Sequence, residues 1–448
     1  MKEQLSEKMG IDLKQRLRNF GWLGADEVVR LGTGFLVTLM LARYLGADGF
    51  GAYGYVLGIV ALFTPITLSG LDQYVTKHML EDRENVGEVL CTSMALRLPA
   101  GLVAAGLAIA TMIALPQPAG TSLELVLIAS ITLLTLPLQT PSLFFKAAER
   151  PKRIALPRVI VTVATTAAFA VLITLGGGLA DFLTLRAGEA VLLGIAAVAM
   201  MVPFRRHIGH LRLDPGLFRD LLVTGFPLML AGIGTVIYMR IDQVMLGQFA
   251  SIGELGRYTL AVRIADSALF VPMALQAAFF PAIVKAYKSG SAQYQAELKS
   301  YFSVMSLAMA LVAMGVVIAG GGIIWLFMDP SFARALPMIA ILALALPFVG
   351  LGVARTSHLT IHGWFWTAPA ATALGAAVNV ALNLLLIPVY GGTGAAVATV
   401  VSYAVAGLGT CFVFPWLSDI GVTMLSSLNP LIAIRTLLSH RRNRPDLP

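Results

Sequence analysis

Charge is what this chain lacks most. Only 12% of its 448 residues are Asp, Glu, Lys or Arg, where soluble globular proteins carry about 25%. A chain this long with so little charge would not stay dissolved, so its main solvent must be lipid. Long polar segments are scarce too: between apolar runs they reach about 20 residues, too short for a separate domain. There are two cysteines, Cys91 and Cys411, both in apolar runs. That excludes a disulfide framework or a multi-cysteine metal centre and leaves small buried hydrophobes. No GxxxxGK[ST] phosphate loop occurs, so the chain does not itself hydrolyse ATP. No nucleophile–base pair stands out, and no enzyme activity is expected. Residues 1–19 are polar and basic, and the first apolar run carries Asp26, Glu27 and Arg30. This is a retained first span rather than a cleavable signal. Gly320–Gly322 closes an apolar run with no strand before it, which fits a turn or close packing.

What the chain has is apolar length: 57% hydrophobic residues and a mean hydropathy of +0.81. A bilayer-crossing helix needs about 20 mostly apolar residues. That ruler predicts an all-α membrane protein of about twelve transmembrane helices, near 20–41, 54–76, 87–115, 122–145, 155–175, 179–202, 217–247, 258–283, 300–328, 334–356, 365–388 and 393–416. The expected organisation is an N-tail (1–19), an N-lobe (20–202), a basic inter-lobe loop (203–216), a C-lobe (217–416) and a basic, partly amphipathic tail (417–448).

Lysine and arginine set the orientation. Alternate loops and both tails hold most of them, in groups such as Lys146, Arg150, Lys152, Arg153 and Arg158, or Arg205, Arg206, Arg212 and Arg219. The opposite loops hold only Arg43, Arg257 and Arg334. The positive-inside rule then places both termini in the cytoplasm. The net charge of +8 is thereby accounted for by orientation, with no nucleic-acid partner required.

A weak internal repeat appears at a shift of 205 residues. It pairs Met40–Leu41 with Met245–Leu246, Tyr44 with Phe249, Gly51 with Gly256, and Tyr53 with Tyr258. Six spans per half is an even number, so the halves form parallel bundles around an axis along the membrane normal.

Charges inside the spans are the candidate site. Five arginines (Arg30, Arg97, Arg186, Arg240, Arg263) and five carboxylates (Asp26, Glu27, Glu189, Asp242, Asp266) lie within predicted helices. Each costs about 2.5–3.5 kcal/mol at mid-bilayer, so each must face water or a partner. Arg30 can reach Asp26 or Glu27, Arg186 can reach Glu189, and Arg263 can reach Asp266 on one helix face. Arg97 has no acid three or four residues away. Arg240 and Asp242 are two apart and cannot pair with each other. These three need partners on other helices or on a ligand. Asp242 shares a small, polar stripe with Ala231, Thr235 and Tyr238. Under the repeat shift Arg30 falls on Thr235 and Arg240 on Phe35, so the charges are not part of the duplicated fold. His358 and His362, four apart at a helix end, are expected at the interface, as are His207 and His210 in a basic loop. Pro65, Pro272 and Gly225–Pro227 can bend their spans.

Three stretches resemble polysaccharide flippases of the Wzx type, within the multidrug/oligosaccharidyl-lipid/polysaccharide (MOP) exporter superfamily. They are Leu41–Tyr53 with Ser69–Asp72, Tyr238–Leu246 with Glu254–Tyr258, and Asn379–Asn383 with Ile387–Pro388 and Gly391–Ala396. The resemblance implies two six-helix lobes in a V, as in MATE transporters, around a cationic cavity worked by alternating access. It implies a polyprenyl-diphosphate-linked glycan as substrate, moved outward across a bacterial inner (cytoplasmic) membrane for surface polysaccharide synthesis, with membrane lipids and glycan polymerase or assembly proteins as partners. Arg30, Arg97, Arg240, Arg263 and Tyr238 would contact the headgroup. Asp26, Glu27, Asp242 and Asp266 would couple transport to protons or sodium, with no other cofactor. Two alternatives compete: a cation-coupled antiporter of organic cations, and a scaffold whose apolar tail segment 422–438 docks a partner.

Overall fold

The structure is a computed structural model that describes residues 2–81, 85–148, 150–204 and 210–442. Arg205, Arg206 and His207, used above for orientation or as candidates, lie outside the described residues, as do the side chains of residues 2–20. The described residues contain helices and connecting turns, with no strand.

In chain order the helices are α1 (Lys2–Leu68), α2 (Asp72–Glu81), α3 (Val86–Ala114), α4 (Leu123–Thr135), α5 (Ser142–Ala147), α6 (Pro151–Thr174), α7 (Leu179–Met201), α8 (Pro215–Phe249) and α9 (Ile252–Asp266). They continue as α10 (Phe270–Ser289), α11 (Ser291–Phe327), α12 (Ala335–Ala343), α13 (Leu346–His362), α14 (Thr367–Ala404), α15 (Thr410–Val413), α16 (Ser418–Ser427) and α17 (Pro430–Arg442). Among the described residues nine segments are long and apolar enough to cross a bilayer, or ten if the bent segments Pro415–Ser427 and Pro430–Ser439 count as one.

Local chemistry sets the boundaries. Pro151 opens α6, where its missing N–H costs nothing. Ser251 caps α9, its hydroxyl accepting from the Glu254 N–H at 3.2 Å. Gly363 closes α13 in the left-handed region. The predicted bend at Pro272 is realised upstream of the proline. Pro272 is the third residue of α10, and the chain leaves the helix over 267–269, as expected where a proline ring would clash with the carbonyl four residues before it. The second predicted span ends early, at Leu68, because Ser69 (φ 54°) and Gly70 (φ 63°) turn the backbone out of the helix.

Two compact units form: residues 1–44 with 55–236, and residues 45–54 with 237–448. The chain passes between them inside helices, at both ends of 45–54 within α1 and near residue 236 within α8. In the first unit α3, α4 and α7 pack together, as do α6 and α7. In the second, α11 packs against α10, α12, α13 and α17, and α14 meets α12 and α13.

The repeat becomes tangible in the second unit. Gly46 (φ 67°) breaks α1, so a new helical stretch starts at Ala47. At the position 205 residues later, Ser251 caps α9, which starts at Ile252. These two stretches cross at their equivalent glycines. A β-carbon at Gly51 would lie 1.9 Å from the Ile252 carbonyl oxygen, and one at Gly256 would lie 1.9 Å from the Ala47 carbonyl oxygen. Ala47 and Ile252 are themselves related by the same shift. Such backbone-on-backbone contact is how helices associate in lipid, where close approach replaces the hydrophobic drive.

Candidate functional site

In the first unit the candidate charges are held in separate pairs. On α1, Arg30 grips Glu27 with two hydrogen bonds, at 2.5 and 3.1 Å, and both side chains are half-exposed. Asp26 does not join them. It is buried, and Arg158 of α6 donates to its Oδ2 at 2.9 Å. Arg158, grouped with the loop cations, is the eighth residue of α6, in its third turn. On α7, Arg186 pairs with Glu189 at 2.5 Å.

Arg97 finds the inter-helix partner that its own helix lacks. It is 2% exposed. Its Nη2 donates to Asp72 Oδ1 at 2.6 Å and its Nη1 to Thr140 Oγ1 at 3.3 Å. The local turn aims the carboxylate. Gly70 presses so closely on α8 that a β-carbon there would lie 3.0 Å from the Leu228 carbonyl carbon, and Leu71 sinks fully buried against Gly225. Asp72 then starts α2, facing Arg97. The Ser69–Asp72 motif is therefore a device for holding one carboxylate over one guanidinium.

In the second unit the predicted residues come together. Arg240 of α8 reaches Asp266 of α9 at 3.4 Å, and both are partly exposed. Arg263 lies close enough to Asp266 to act on the same carboxylate. Asp242 is 4% exposed. It accepts the Tyr258 hydroxyl proton on Oδ2 and the Gln243 N–H on Oδ1 at 2.7 Å, with Thr399 Oγ1 3.5 Å away. Asp242, Tyr258, Asp266, Thr399 and Tyr403 border a cavity of about 30 Å³, room for a water molecule or a bare cation. Tyr238 packs edge-on to Tyr403 with ring centroids 4.9 Å apart. Alongside runs a polar ladder: Asn383 donates to Asn379 Oδ1 at 2.8 Å, and Asn379 donates to Ser402 Oγ at 3.2 Å. The spacing of four puts both amides on one face of α14, where Asn379 accepts from Asn383 and donates onward to Ser402.

Several contributors escaped the sequence reading. Asp72, Tyr258 and Thr399 act across helices, and only the resemblance motifs containing the first two hinted at them. Arg355, inside the predicted span 334–356, drew no notice as a candidate. It is buried on α13, donating to the Gly407 carbonyl at 3.1 Å and to the Thr410 hydroxyl, where a π-helical turn at Val405–Gly409 leaves carbonyls free. His358 is likewise buried, its Nδ1 2.6 Å from the Tyr294 hydroxyl, rather than interfacial. Among the described residues no group of three His, Cys, Asp or Glu side chains could hold a metal ion.

This fold matches known transporters along nearly its whole length. It is similar to the lipid II flippase MurJ in an inward closed conformation, with a TM-score of 0.68 and 15% identity over 95% of this chain and 93% of that one. It is similar to an inward-facing multidrug resistance MATE family transporter of the MOP superfamily, with a TM-score of 0.66 and 13% identity over 95% and 100%. At such identities the likeness speaks for the fold. In sequence it is similar to the probable low-salt glycan biosynthesis flippase Agl15 of Haloferax volcanii, 24% identical over 184 residues. That match spans 40% of this chain and 38% of the relative. The fold and the apolar helices together define a multi-span membrane protein with the fold of MOP-type transporters. Residues 16–287 match the polysaccharide biosynthesis protein family, and the chain belongs to that family.

Proposed function

We propose that the chain is a flippase that carries a polyprenyl-diphosphate-linked oligosaccharide from the cytoplasmic to the outer leaflet by alternating access. The family match over residues 16–287 carries this reading. The name of the Haloferax relative, a glycan biosynthesis flippase, points the same way. The proposed topology has twelve spans and both termini in the cytoplasm. It is reached when the long helices are divided at Gly46 and Gly391 and Leu123–Gln139 is counted as a span. The proposed setting is a bacterial inner membrane beside glycan-assembly proteins.

The charges acquire roles on this reading. A diphosphate brings anionic oxygens that compete with carboxylates for guanidinium groups. Arg240 is the favoured clamp: its bond to Asp266 is long and partly exposed, so a phosphate can displace it. Arg263, Arg30 and Tyr238 are the further headgroup contacts. Arg97, enclosed with Asp72, is proposed to act from deeper in its lobe. Asp242 and Asp266, around their small cavity, would carry the coupling proton or sodium ion, and displacement of Arg240 would free Asp266 for that role. Asp26 and Glu27 are the corresponding proposal in the first unit.

The test is glycan export in a host lacking its own flippase. Arg240→Ala is expected to reduce export at least tenfold at normal expression, while Arg240→Lys, which keeps the charge but not the fork, retains part of it. Full export by Arg240→Ala removes the clamp. A second reading, a cation-coupled multidrug antiporter, is favoured by the likeness to the MATE transporter and by the buried Asp242. It predicts resistance to organic cations in place of glycan export.

A further inference from the structure

In the first unit, cations gather where α5 runs into α6. Lys146, Arg150, Lys152 and Arg153 are all exposed. None of them makes an ion pair with a carboxylate among the described residues; the nearest such pair, Arg158 with Asp26, lies a turn further along. Three of the four sit on aromatic rings instead. The Arg150 and Arg153 guanidinium carbons are 5.5 and 4.8 Å from the centre of the same ring, Phe204, and Lys152 Nζ is 5.4 Å from the Trp22 ring. Phe144 and Phe145 pack against Phe204 at 6.1 and 5.5 Å and fix it in place.

Stacking uses the face of a guanidinium and leaves its in-plane N–H donors pointing outward, where they match phosphate oxygens two at a time. Two like charges over one ring also stay within about 10 Å of each other, a separation that salt screens only in part. The first turn of α6 holds no acidic residue, so the positive end of the helix adds to the field. In a membrane chain, aromatic rings beside lysine and arginine mark the depth of the lipid headgroups.

We propose that this cluster is a binding site for the phosphodiester headgroup of an anionic phospholipid. Arg150 and Arg153 fork its oxygens, Lys152 holds the far side, and Trp22 and Phe204 flank the glycerol and upper acyl region. The site rests on the membrane fold and not on the flippase reading, so it stands or falls independently of the glycan.

The experiment is native mass spectrometry of the full chain in neutral detergent, titrated with phosphatidylglycerol and, separately, with phosphatidylcholine. The comparison is between Arg150→Gln/Lys152→Gln/Arg153→Gln and a charge-matched control, Lys285→Gln/Lys288→Gln/Lys299→Gln, which removes three exposed cations from the other unit. The cluster variant is expected to lose phosphatidylglycerol affinity on the order of tenfold. The control should keep it, and phosphatidylcholine binding should not change in either. If the triple variant does not fold, Lys152→Gln alone is expected to show a smaller loss of the same kind. Equal losses in cluster and control variants, or none in the cluster variant, overturn the site. So does a titration with inorganic pyrophosphate in which only the soluble anion binds in a cluster-dependent way, because the occupant would then not be a lipid.

Discussion

Gly256→Ala is expected to yield little folded protein, a large consequence for a single methyl group. The added carbon would sit 1.9 Å from the Ala47 carbonyl oxygen and 2.9 Å from the Gly51 nitrogen. Both are backbone atoms, so no flexible side chain can yield. The helix cannot slide away, because Gly51 meets the Ile252 carbonyl in the same crossing. Overpacking a core ordinarily costs about 1–3 kcal/mol. Here a backbone must part from a backbone, and a loss of about 4 kcal/mol or more is expected. Gly51→Ala should match it by symmetry. The double variant should cost less than the sum, because the first substitution has already separated the helices. Gly315→Ala in α11, with open space around the position, should leave the melting temperature almost unchanged. Thermal unfolding in detergent, with the yield of monodisperse protein, measures all four.

Asp72→Ala carries the second large effect. It leaves the Arg97 guanidinium, 2% exposed, with Thr140 as its remaining side-chain partner among those described. Removing one partner of a buried ion pair costs about 3–5 kcal/mol. Asp72 is half-exposed and water can replace part of its role, which places the expected loss near the lower figure, about 3 kcal/mol. Arg97→Leu in the Asp72→Ala background should recover much of it, since the uncompensated charge is then gone. A double variant no more stable than Asp72→Ala would mean that the carboxylate matters through the turn at Ser69–Gly70 rather than through Arg97.

The two arginines that sequence spacing left unpaired, Arg97 and Arg240, both take their carboxylates from other helices. Helix periodicity reveals that such a partner is needed. It cannot name the partner, because Asp72 and Asp266 lie 25 and 26 residues away and only packing brings them close. The same limit sent Asp26 to Arg158 rather than to Arg30, its neighbour by spacing. Gly51 and Gly256 were readable as a repeat, but their contact was not, since pairing at a fixed shift carries no information about which copies touch. The early end of the second span was hidden as well. Leu71, Tyr74 and Val75 keep some apolar character past Leu68, and the left-handed backbone at Ser69 and Gly70 stops the helix. Arg355 went unnoticed because its partners are a carbonyl and a hydroxyl, groups that leave no charge pattern in a sequence.

Movement of a diphosphate-linked glycan across a bilayer is the claim on which the functional reading depends. The direct measurement uses proteoliposomes holding the purified chain and a polyprenyl-diphosphate oligosaccharide whose sugar is open to enzymatic cleavage from outside. With the protein present, the protected inner-leaflet half should become cleavable, and Arg240→Ala should slow that exposure at least tenfold. A glycan that stays protected in vesicles containing folded protein, under both a proton gradient and a sodium gradient, would contradict the account.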